Sequence, residues 1–407
     1  MRHKIAKLSF LICIYHSLYS MKIEESIENK LEVFLNEHIP QPRIIAHKIP
    51  PHSVNSVALS RYFINSVVLS PYNNYMVTEY EGGTVDIWDM KNFPEDSAHI
   101  IRNHAGPAKS VAFIPNGDLL LLGHSSGIAE LWALKNSINN KPYFLMGHTD
   151  AIISVAMSPN GEYALTGSRD GTARLWNITD LSAVTSYILK GHTAGITSVA
   201  FSPDGKKVVT ASLDKTALLW DIKDLSNITS YILKLHTEDI QFVTFSQTGK
   251  YILTQSNHET FLWDIENLNE IQSYCLGDPS RVVSAAAFSP DDRHILVGYF
   301  NNTAEIKDIS NLAQIKSYLL KGHTAPIWSV AFSPNGKYAL TGSADTKVIL
   351  WDIKDLQIIK HYILKSHTNW VTSVASILNG RYILTGSWDS TVLLWDLTCA
   401  PTSTKDF

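Results

Sequence analysis

The 407-residue chain has only three cysteines, Cys13, Cys275 and Cys399, and they lie far apart in the sequence. Three scattered thiols exclude a disulfide framework, a CxxC redox motif and a cysteine-ligated zinc site. Charge of one sign is also lacking, because 34 Lys and Arg oppose 38 Asp and Glu and leave a net charge of -4. Such a chain offers no basic surface for nucleic acid or anionic lipid. A Gly-rich phosphate loop is missing too, so we expect no cofactor and no nucleic-acid partner.

The sequence has no apolar run long enough to cross a bilayer, and we expect no integral membrane segment. Arg2, Lys4 and Lys7 precede a short apolar stretch over residues 8–15, which has the size and polarity of a signal peptide. Residues 1–20 are therefore either a signal peptide, which would make the chain exported, or sequence ahead of a start at Met21 in a cytoplasmic protein. Residues 21–53 contain an amphipathic helical pattern over residues 22–38 and then a Pro-containing linker. Such a helix packs on the neighbouring domain or serves as a docking segment for a partner.

A repeat of 44 residues, once 43, runs through the rest of the chain. Its anchor positions are Trp88, Trp132, Trp176, Trp220, Trp263, Lys307, Trp351 and Trp395. An apolar residue followed by a turn precedes most anchors, as at the Ser-Pro-Asp-Gly and Ser-Pro-Asn-Gly sequences of residues 202–205 and 333–336. Apolar, β-rich runs lie on both sides of such a turn, which predicts a hairpin. Each unit holds four short strands, and sheets of this size must stack on one another around an axis to bury both faces. The repeat predicts a β-propeller.

Recurring polar positions give the repeat a resemblance to the WD-repeat (WD40) family. Gly191-His192, Ser212, Asp214 and Trp220-Asp221 match the pattern of that family, and the match extends over residues 54–398. The resemblance implies an all-β propeller of four-stranded antiparallel blades, followed by a polar tail over residues 399–407. Eight anchors predict eight blades; the alternative is a seven-bladed ring with the sixth unit bulged outward. No fourth strand follows Trp395, so we expect an N-terminal strand at residues 54–60 to complete the last blade.

The resemblance also implies that one His, Ser, Asp and Trp in each matching unit form a structural hydrogen-bonded tetrad. Four equivalent sets argue against a catalytic triad, because an enzyme needs one site. Histidines placed one to a unit around a ring likewise cannot converge on one metal ion. The sixth unit has Lys307 at the anchor, so we expect that blade to lack the tetrad. The fifth retains His236 and Trp263 but has Asn257 at the turn, and we expect both blades to be among the least rigid. The four sets are His148, Ser168, Asp170, Trp176; His192, Ser212, Asp214, Trp220; His323, Ser343, Asp345, Trp351; and His367, Ser387, Asp389, Trp395.

Partners of propellers in this family most often contact the face formed by the loops that enter the innermost strands and by the turn before each third strand. Three positions of that face vary between units: three and five residues after the histidine, and the residue just before the turn aspartate. These positions carry aromatic side chains in adjacent blades 7, 8 and 1, which we expect to form one exposed cluster at the channel mouth. Further candidate contacts there are charged. The sequence predicts a non-catalytic scaffold or adaptor for a protein or peptide, as a monomeric propeller within a larger complex. The aromatic candidates are Trp328, Trp370, Trp388 and Phe63, and the charged ones are Arg169, Lys109 and Asp239.

The alternative function is a small-ligand or enzymatic site at the channel mouth. Such a site needs an acid pair or a histidine cluster that converges on one point. At the three variable positions, Glu81, Asp239 and Arg169 belong to different units. This distribution favours the scaffold.

Overall fold

The computed structural model describes residues 46–49, 64–70, 75–80, 84–89, 99–101, 106–134, 141–377 and 381–397. These residues form eight four-stranded antiparallel sheets and one 3-10 turn, Leu312–Gln314. The predicted helix at residues 22–38, residues 1–20 and the tail at 399–407 lie outside the described part of the chain.

The first four blades follow the chain order, and in each the first strand lies innermost, against the first strands of neighbouring blades. Blade 1 is β2 (Ile64–Leu69), β3 (Tyr75–Tyr80), β4 (Val85–Asp89) and β5 (His99–Ile101). Blade 2 is β6 (Ala108–Phe113), β7 (Leu119–His124), β8 (Ala129–Ala133) and β9 (Tyr143–Leu145). Blade 3 is β10 (Ile152–Met157), β11 (Tyr163–Ser168), β12 (Thr172–Asn177) and β13 (Thr185–Lys190). Blade 4 is β14 (Ile196–Phe201), β15 (Lys207–Ser212), β16 (Ala217–Asp221) and β17 (Thr229–Leu233).

The next four blades repeat this order, except that the outermost strand of blade 8 comes from the N-terminal side. Blade 5 is β18 (Phe242–Phe245), β19 (Tyr251–Gln255), β20 (Thr260–Asp264) and β21 (Gln272–Cys275). Blade 6 is β22 (Val283–Phe288), β23 (His294–Tyr299), β24 (Thr303–Asp308) and β25 (Lys316–Lys321). Blade 7 is β26 (Ile327–Phe332), β27 (Tyr338–Ser343), β28 (Lys347–Asp352) and β29 (Lys360–Lys365). Blade 8 is β30 (Val371–Ile377), β31 (Tyr382–Ser387), β32 (Val392–Asp396) and β1 (Ala46–Ile49).

The Ser-Pro-Asn-Gly turns join the first and second strands, as predicted. In blade 3 the Ser158 hydroxyl donates to Asn160 Oδ1 at 2.7 Å and accepts the Tyr163 N–H at 2.9 Å. Gly161 follows with a φ of 74°, a left-handed conformation that glycine adopts without a steric cost. The side-chain bonds and the glycine together fix the hairpin that aligns the two strands.

Neighbouring blades pack through apolar clusters and a recurring serine bond. Leu165 and Leu175 of blade 3 belong to one buried cluster with Val199 and Phe201 of blade 4. An inner-strand serine accepts the backbone N–H of the next blade in five seams. The pairs are Ser110 with Val155, Ser154 with Val199, Ser198 with Val243, Ser329 with Val374, and Ser373 with Val67.

The ring closes between blades 8 and 1. Val67 N–H donates to Ser373 Oγ at 3.3 Å, and the Thr372 hydroxyl donates to the Ile64 carbonyl at 2.8 Å. Blade 6 packs against blade 7 and, through residues such as Leu253 and Val297, against blade 5. The eight-bladed prediction is confirmed, and the seven-bladed alternative with the sixth unit outside the ring is wrong.

An N-terminal strand completes blade 8, but it lies upstream of the predicted position. β1 pairs with β32 in antiparallel register, with Ala46 opposite Trp395 and Ile49 opposite Val392. β1 occupies this edge of β32, and the predicted residues 54–60 lie outside the described residues. The prediction assumed the spacing of a repeat, in which only residues 191–195 separate β13 from β14, whereas residues 50–63 separate β1 from β2.

Candidate functional site

Blade 3 contains a buried chain of hydrogen bonds that runs from a tryptophan to an aspartate. Trp176 Nε1 donates to Thr166 Oγ1 at 2.9 Å, and the same hydroxyl lies 2.8 Å from His148 Nε2. His148 Nδ1 lies 2.8 Å from Asp170 Oδ2. Because a carboxylate only accepts, the histidine carries its proton on Nδ1 and accepts the threonine hydroxyl on Nε2. Three further blades repeat this chain through Trp220, Thr210, His192, Asp214; Trp351, Thr341, His323, Asp345; and Trp395, Thr385, His367, Asp389.

A threonine, and not the predicted serine, joins the histidine to the tryptophan. The Ser168 hydroxyl instead donates to the Asp150 carbonyl at 2.8 Å and accepts the Asp170 N–H at 3.1 Å. Ser212, Ser343 and Ser387 make the same two contacts in their blades. The sequence held a signal for the missed residue, because a threonine stands ten positions before each of these four anchors. The serine therefore shapes the turn, while the threonine completes the tetrad.

Each tetrad aspartate also ties together two loops at one end of its blade. We call this end the mouth: it comprises the loop that enters each inner strand and the turn between the second and third strands. Asp170 accepts the N–H of Thr149 in the first loop at 3.0 Å and that of Thr172 after the turn at 2.9 Å. Burial opposes ionisation of Asp170, but hydrogen bonds led by Thr172 and Thr149 outweigh it and lower its pKa to about 2. Burial lowers the pKa of His148, so the pair is a neutral imidazole and a carboxylate at pH 7.

Blade 5 keeps a tetrad that the sequence did not predict. Glu259 takes the place of the aspartate: its Oε2 lies 3.2 Å from His236 Nδ1 and accepts the Thr237 N–H at 2.9 Å. Thr254 Oγ1 joins His236 to Trp263 as in the other blades. Asn257 stands at the position that the aspartate holds in the other blades. The longer side chain of Glu259 reaches His236 from two residues further along the chain.

Blade 6 replaces the tetrad with a buried ionic network. Glu305 lies 2.5 Å from Lys307, the anchor substitution, and 2.6 Å from the Arg281 guanidinium. Arg281 also pairs with Asp278 at 3.0 Å and lies over the Tyr299 ring. Lys307 at the anchor is therefore neutralised within the blade and not left as an isolated buried charge.

Blade 2 has a third arrangement. Trp132 Nε1 donates to Glu130 Oε2 at 3.0 Å, and His124 Nε2 lies 3.5 Å from the same oxygen. His124 Nδ1 lies 2.8 Å from the Gly106 carbonyl of the mouth loop. The carboxylate thus supplies the acceptor that a threonine provides in other blades.

Four aromatic side chains contact one another in series at the mouth of blades 6, 7 and 8, and we call them the aromatic ladder. Phe300 packs edge-on against Trp328, with ring centroids 5.2 Å apart. Trp328 stacks on Trp370 at 5.5 Å, and Trp370 stacks on Trp388 at 4.6 Å, with interplanar angles of 21° and 16°. Phe300, Trp370 and Trp388 are half-buried. The structure therefore brings three of the predicted aromatic candidates together and adds Phe300.

Trp328 was expected to be exposed, but it is only 4% exposed. Trp328 lies on the inner strand of blade 7, and its ring contacts Trp370 of blade 8. Thr197 and Thr372 occupy the same repeat position in blades 4 and 8, and their hydroxyls donate to the carbonyls of Ile240 and Ile64 in the next blade. Phe63 lies outside the described residues.

The three charged candidates lie on separate blades. Lys109 and Arg169 are exposed on blades 2 and 3, and Asp239 is half-buried at the mouth of blade 5. They do not form one site. Asp239 alone lies on a blade next to the aromatic ladder, beside blade 6 and its Phe300.

No helix among the described residues is long and apolar enough to cross a membrane. In the same part of the chain, no group of three His, Cys, Asp or Glu side chains could hold a metal ion.

Family models match two stretches of the chain. The model described as IFT122 first beta-propeller matches residues 185–404, which is more than half of the sequence. The WD40 model, described as WD domain, G-beta repeat, matches residues 139–177. A search of curated proteins finds no match. The WD-repeat resemblance seen in the sequence is confirmed.

Proposed function

We propose that this chain, which belongs to the IFT122 first beta-propeller family, is a non-catalytic scaffold that binds a protein or peptide at its mouth. The aromatic ladder is the observation that carries the proposal. Rings from three blades meet there, and Trp370 and Trp388 keep part of their surface open to solvent. Grouped aromatic side chains of this kind are the usual centres of protein interfaces.

The surroundings of the ladder support a rigid binding surface. The backbone N–H of Trp388 donates to the backbone carbonyl of Trp370 at 2.9 Å, so the two mouth loops of blade 8 are joined directly. Asp389 accepts the Thr368 N–H at 2.8 Å and lies 2.9 Å from His367, which anchors the same loops to the tetrad. A surface that is already ordered loses little conformational entropy when a partner binds.

The repeated histidines give no sign of a catalytic role. In each tetrad both ring nitrogens are engaged, as in His323 with Asp345 at 2.9 Å and Thr341 at 2.8 Å. A general base must reach a substrate proton, and these nitrogens lie buried inside the blade. Their geometry supports a structural function.

The test is affinity capture of partners by the full chain, followed by mass spectrometry, with variants at the ladder. Trp370→Ala and Trp388→Ala should each weaken capture about tenfold, at roughly 1.4 kcal/mol per decade. Each variant also loses stacked aromatic pairs of about 0.5–1.5 kcal/mol, so we expect a modestly lower melting temperature in a chain that is still folded. Leu213→Ala is the matched control, because Leu213 is 39% exposed and holds the same mouth position as Trp388 on the opposite side of the ring. Partners retained by folded tryptophan variants would show that the ladder is not the binding surface.

A further inference from the structure

We infer that the mouth of blades 5 to 8 binds a partner segment that carries a basic side chain next to a large apolar one. The inference rests on the proposed function and names the chemistry of the segment. The apolar side chain would contact the aromatic ladder, and the cation would face the acids at the mouth of blade 5.

The stacking within the ladder selects an apolar contact there. Trp370 lies between Trp328 and Trp388 with nearly parallel rings at 5.5 and 4.6 Å, so both of its faces are covered. Trp370 can present only its ring edge to a partner. An aromatic edge carries partial positive charge and does not attract a cation, whereas a ring face does. Trp370 therefore offers an apolar contact, and the counter-charge for the partner's basic group is assigned to the acids of blade 5.

Blade 5 supplies that counter-charge. The Asp239 carboxylate is half-buried and makes no hydrogen bond or ion pair with the described residues. Next to it, Glu238 pairs with His258 at 2.8 Å through one oxygen, while its buried Oε2 has no donor within the described part of the chain. Glu259 is already engaged by His236 and Thr237. At the mouth of this blade, the Asp239 carboxylate and Glu238 Oε2 therefore have no hydrogen-bond donor among the described residues.

The charges on the other blades also favour a basic partner segment at the mouth of blade 5. On blade 6, Arg281 is committed to Glu305 at 2.6 Å and Asp278 at 3.0 Å, so it does not neutralise Asp239. Exposed basic residues of the mouth lie on blades 2 to 4, at Lys109, Arg169 and Lys215. The loop that enters the inner strand of blade 5 adds one exposed lysine, Lys234, which is outnumbered by the three carboxylates of that mouth. An acidic segment would be attracted to that side, whereas a basic one is attracted to blade 5 and brought beside the ladder.

The test uses fluorescein-labelled peptides of about twelve residues on a Gly-Ser background, measured by fluorescence polarisation with the full chain. Four pools carry Arg with Phe, Glu with Phe, Arg with Ala, or Glu with Ala, at varied spacing. We expect the Arg-Phe pool to bind best and to weaken as salt rises from about 50 to 300 mM, because partly exposed charge pairs are screened.

Variants then separate this inference from the proposed function. Asp239→Asn and Glu238→Gln should each weaken binding of the Arg-Phe pool up to about fivefold, the range measured for partly exposed ion pairs. Glu270→Gln makes the same charge change at the opposite end of blade 5, in an exposed residue, and should have no effect. Trp370→Ala should weaken binding of the Arg-Phe pool about tenfold, with the melting temperature confirming that the variant is folded.

Three results would overturn the inference. Equal or better binding of the Glu-Phe pool, or binding that needs Trp370 but not Asp239 and Glu238, would refute the basic segment and leave the proposed function standing. Binding of the Arg-Phe pool that Trp370→Ala leaves unchanged would refute both. If no pool binds, the inference is wrong, and the capture of partners by affinity still decides the proposed function.

Discussion

At the residue scale, one carboxylate in each tetrad organises both the blade interior and the mouth. Asp345 Oδ2 lies 2.9 Å from His323 Nδ1 and accepts the Thr324 N–H at 2.9 Å, while Oδ1 accepts the Lys347 N–H at 3.1 Å. Removing it would leave a buried histidine donor and two backbone donors without an acceptor. Such unsatisfied groups are costly because they lose hydration without regaining a bond.

Asp345→Ala should therefore lower the free energy of unfolding by about 1 to 3 kcal/mol. Asn301→Ala in blade 6 is the comparison: Asn301 is exposed and caps only its own turn, through Thr303. We expect a smaller loss there, measured by chemical denaturation of both variants. Equal losses would contradict the structural importance of the tetrad carboxylate.

The buried histidines predict that stability depends on pH below neutrality. Burial is the largest influence on His148, His192 and His236 and lowers their pKa, in His236 to about 4. The unfolded chain takes up these protons near pH 6.5, before the folded chain does. Stability is therefore fully present above pH 6.5 and falls as the pH drops towards 4. The denaturation midpoint should decrease between pH 7 and pH 5, and a constant midpoint would show that these histidines are not buried neutral.

The tetrad carboxylates add a second loss of stability at lower pH. Hydrogen bonds outweigh burial in Asp170 and Asp345 and lower the pKa of each to about 2. A carboxyl whose pKa is depressed on folding stabilises the native state above about pH 4 and loses that contribution as the pH falls towards 2. Unfolding should therefore show a second decline in this range, distinct from the one due to the histidines.

At the scale of strands and turns, the sequence predicted the features that recur from blade to blade and missed those that occur in one blade only. The tryptophan anchors and Ser-Pro-Asn-Gly turns recur, so the eight blades were predictable. Glu259 was missed because a one-residue deletion moves the acid away from the repeat position. The strand Ala46–Ile49 was missed because its linker is not part of the repeat. Trp328 was misjudged because solvent exposure depends on the neighbouring blade, which one unit does not reveal.

The closing strand should be essential for the last blade. Deleting residues 1–50 removes β1 and leaves the edge of β32 without its partners from Ala46 to Ile49. An unpaired edge strand promotes aggregation, and the ring also loses its closure. We expect a lower melting temperature and aggregation, whereas deleting residues 1–40 should be tolerated. If both truncated chains melt like the full chain, β1 does not close the ring.

At the scale of the whole ring, blade 6 is joined to its neighbours differently from the others. The serine that accepts a backbone N–H from the next blade is replaced by Phe242 in blade 5 and by Ala285 in blade 6. The seam with blade 5 is instead bridged by Asp292, which accepts the N–H groups of Gln247 and Thr248 at 2.8 Å and the Thr248 hydroxyl at 2.7 Å. The seam with blade 7 includes the contact between Phe300 and Trp328. A partner on the ladder would thus contact the blade whose seams differ most.

Asp292→Gly tests whether this bridge holds the ring at blade 6. Asp292 has a φ of 56°, and Gly161, Gly205 and Gly336 occupy the same turn position in other blades with positive φ, so glycine relieves the backbone while removing the carboxylate. Amide hydrogen exchange should accelerate in β19, β23 and β24, because opening of the ring begins where the seam is weakened. Exchange in β11 and β15, whose seams keep the serine bond, is the internal control. Unchanged exchange in blades 5 and 6, or a uniform increase around the ring, would show that the Asp292 bridge does not control local opening.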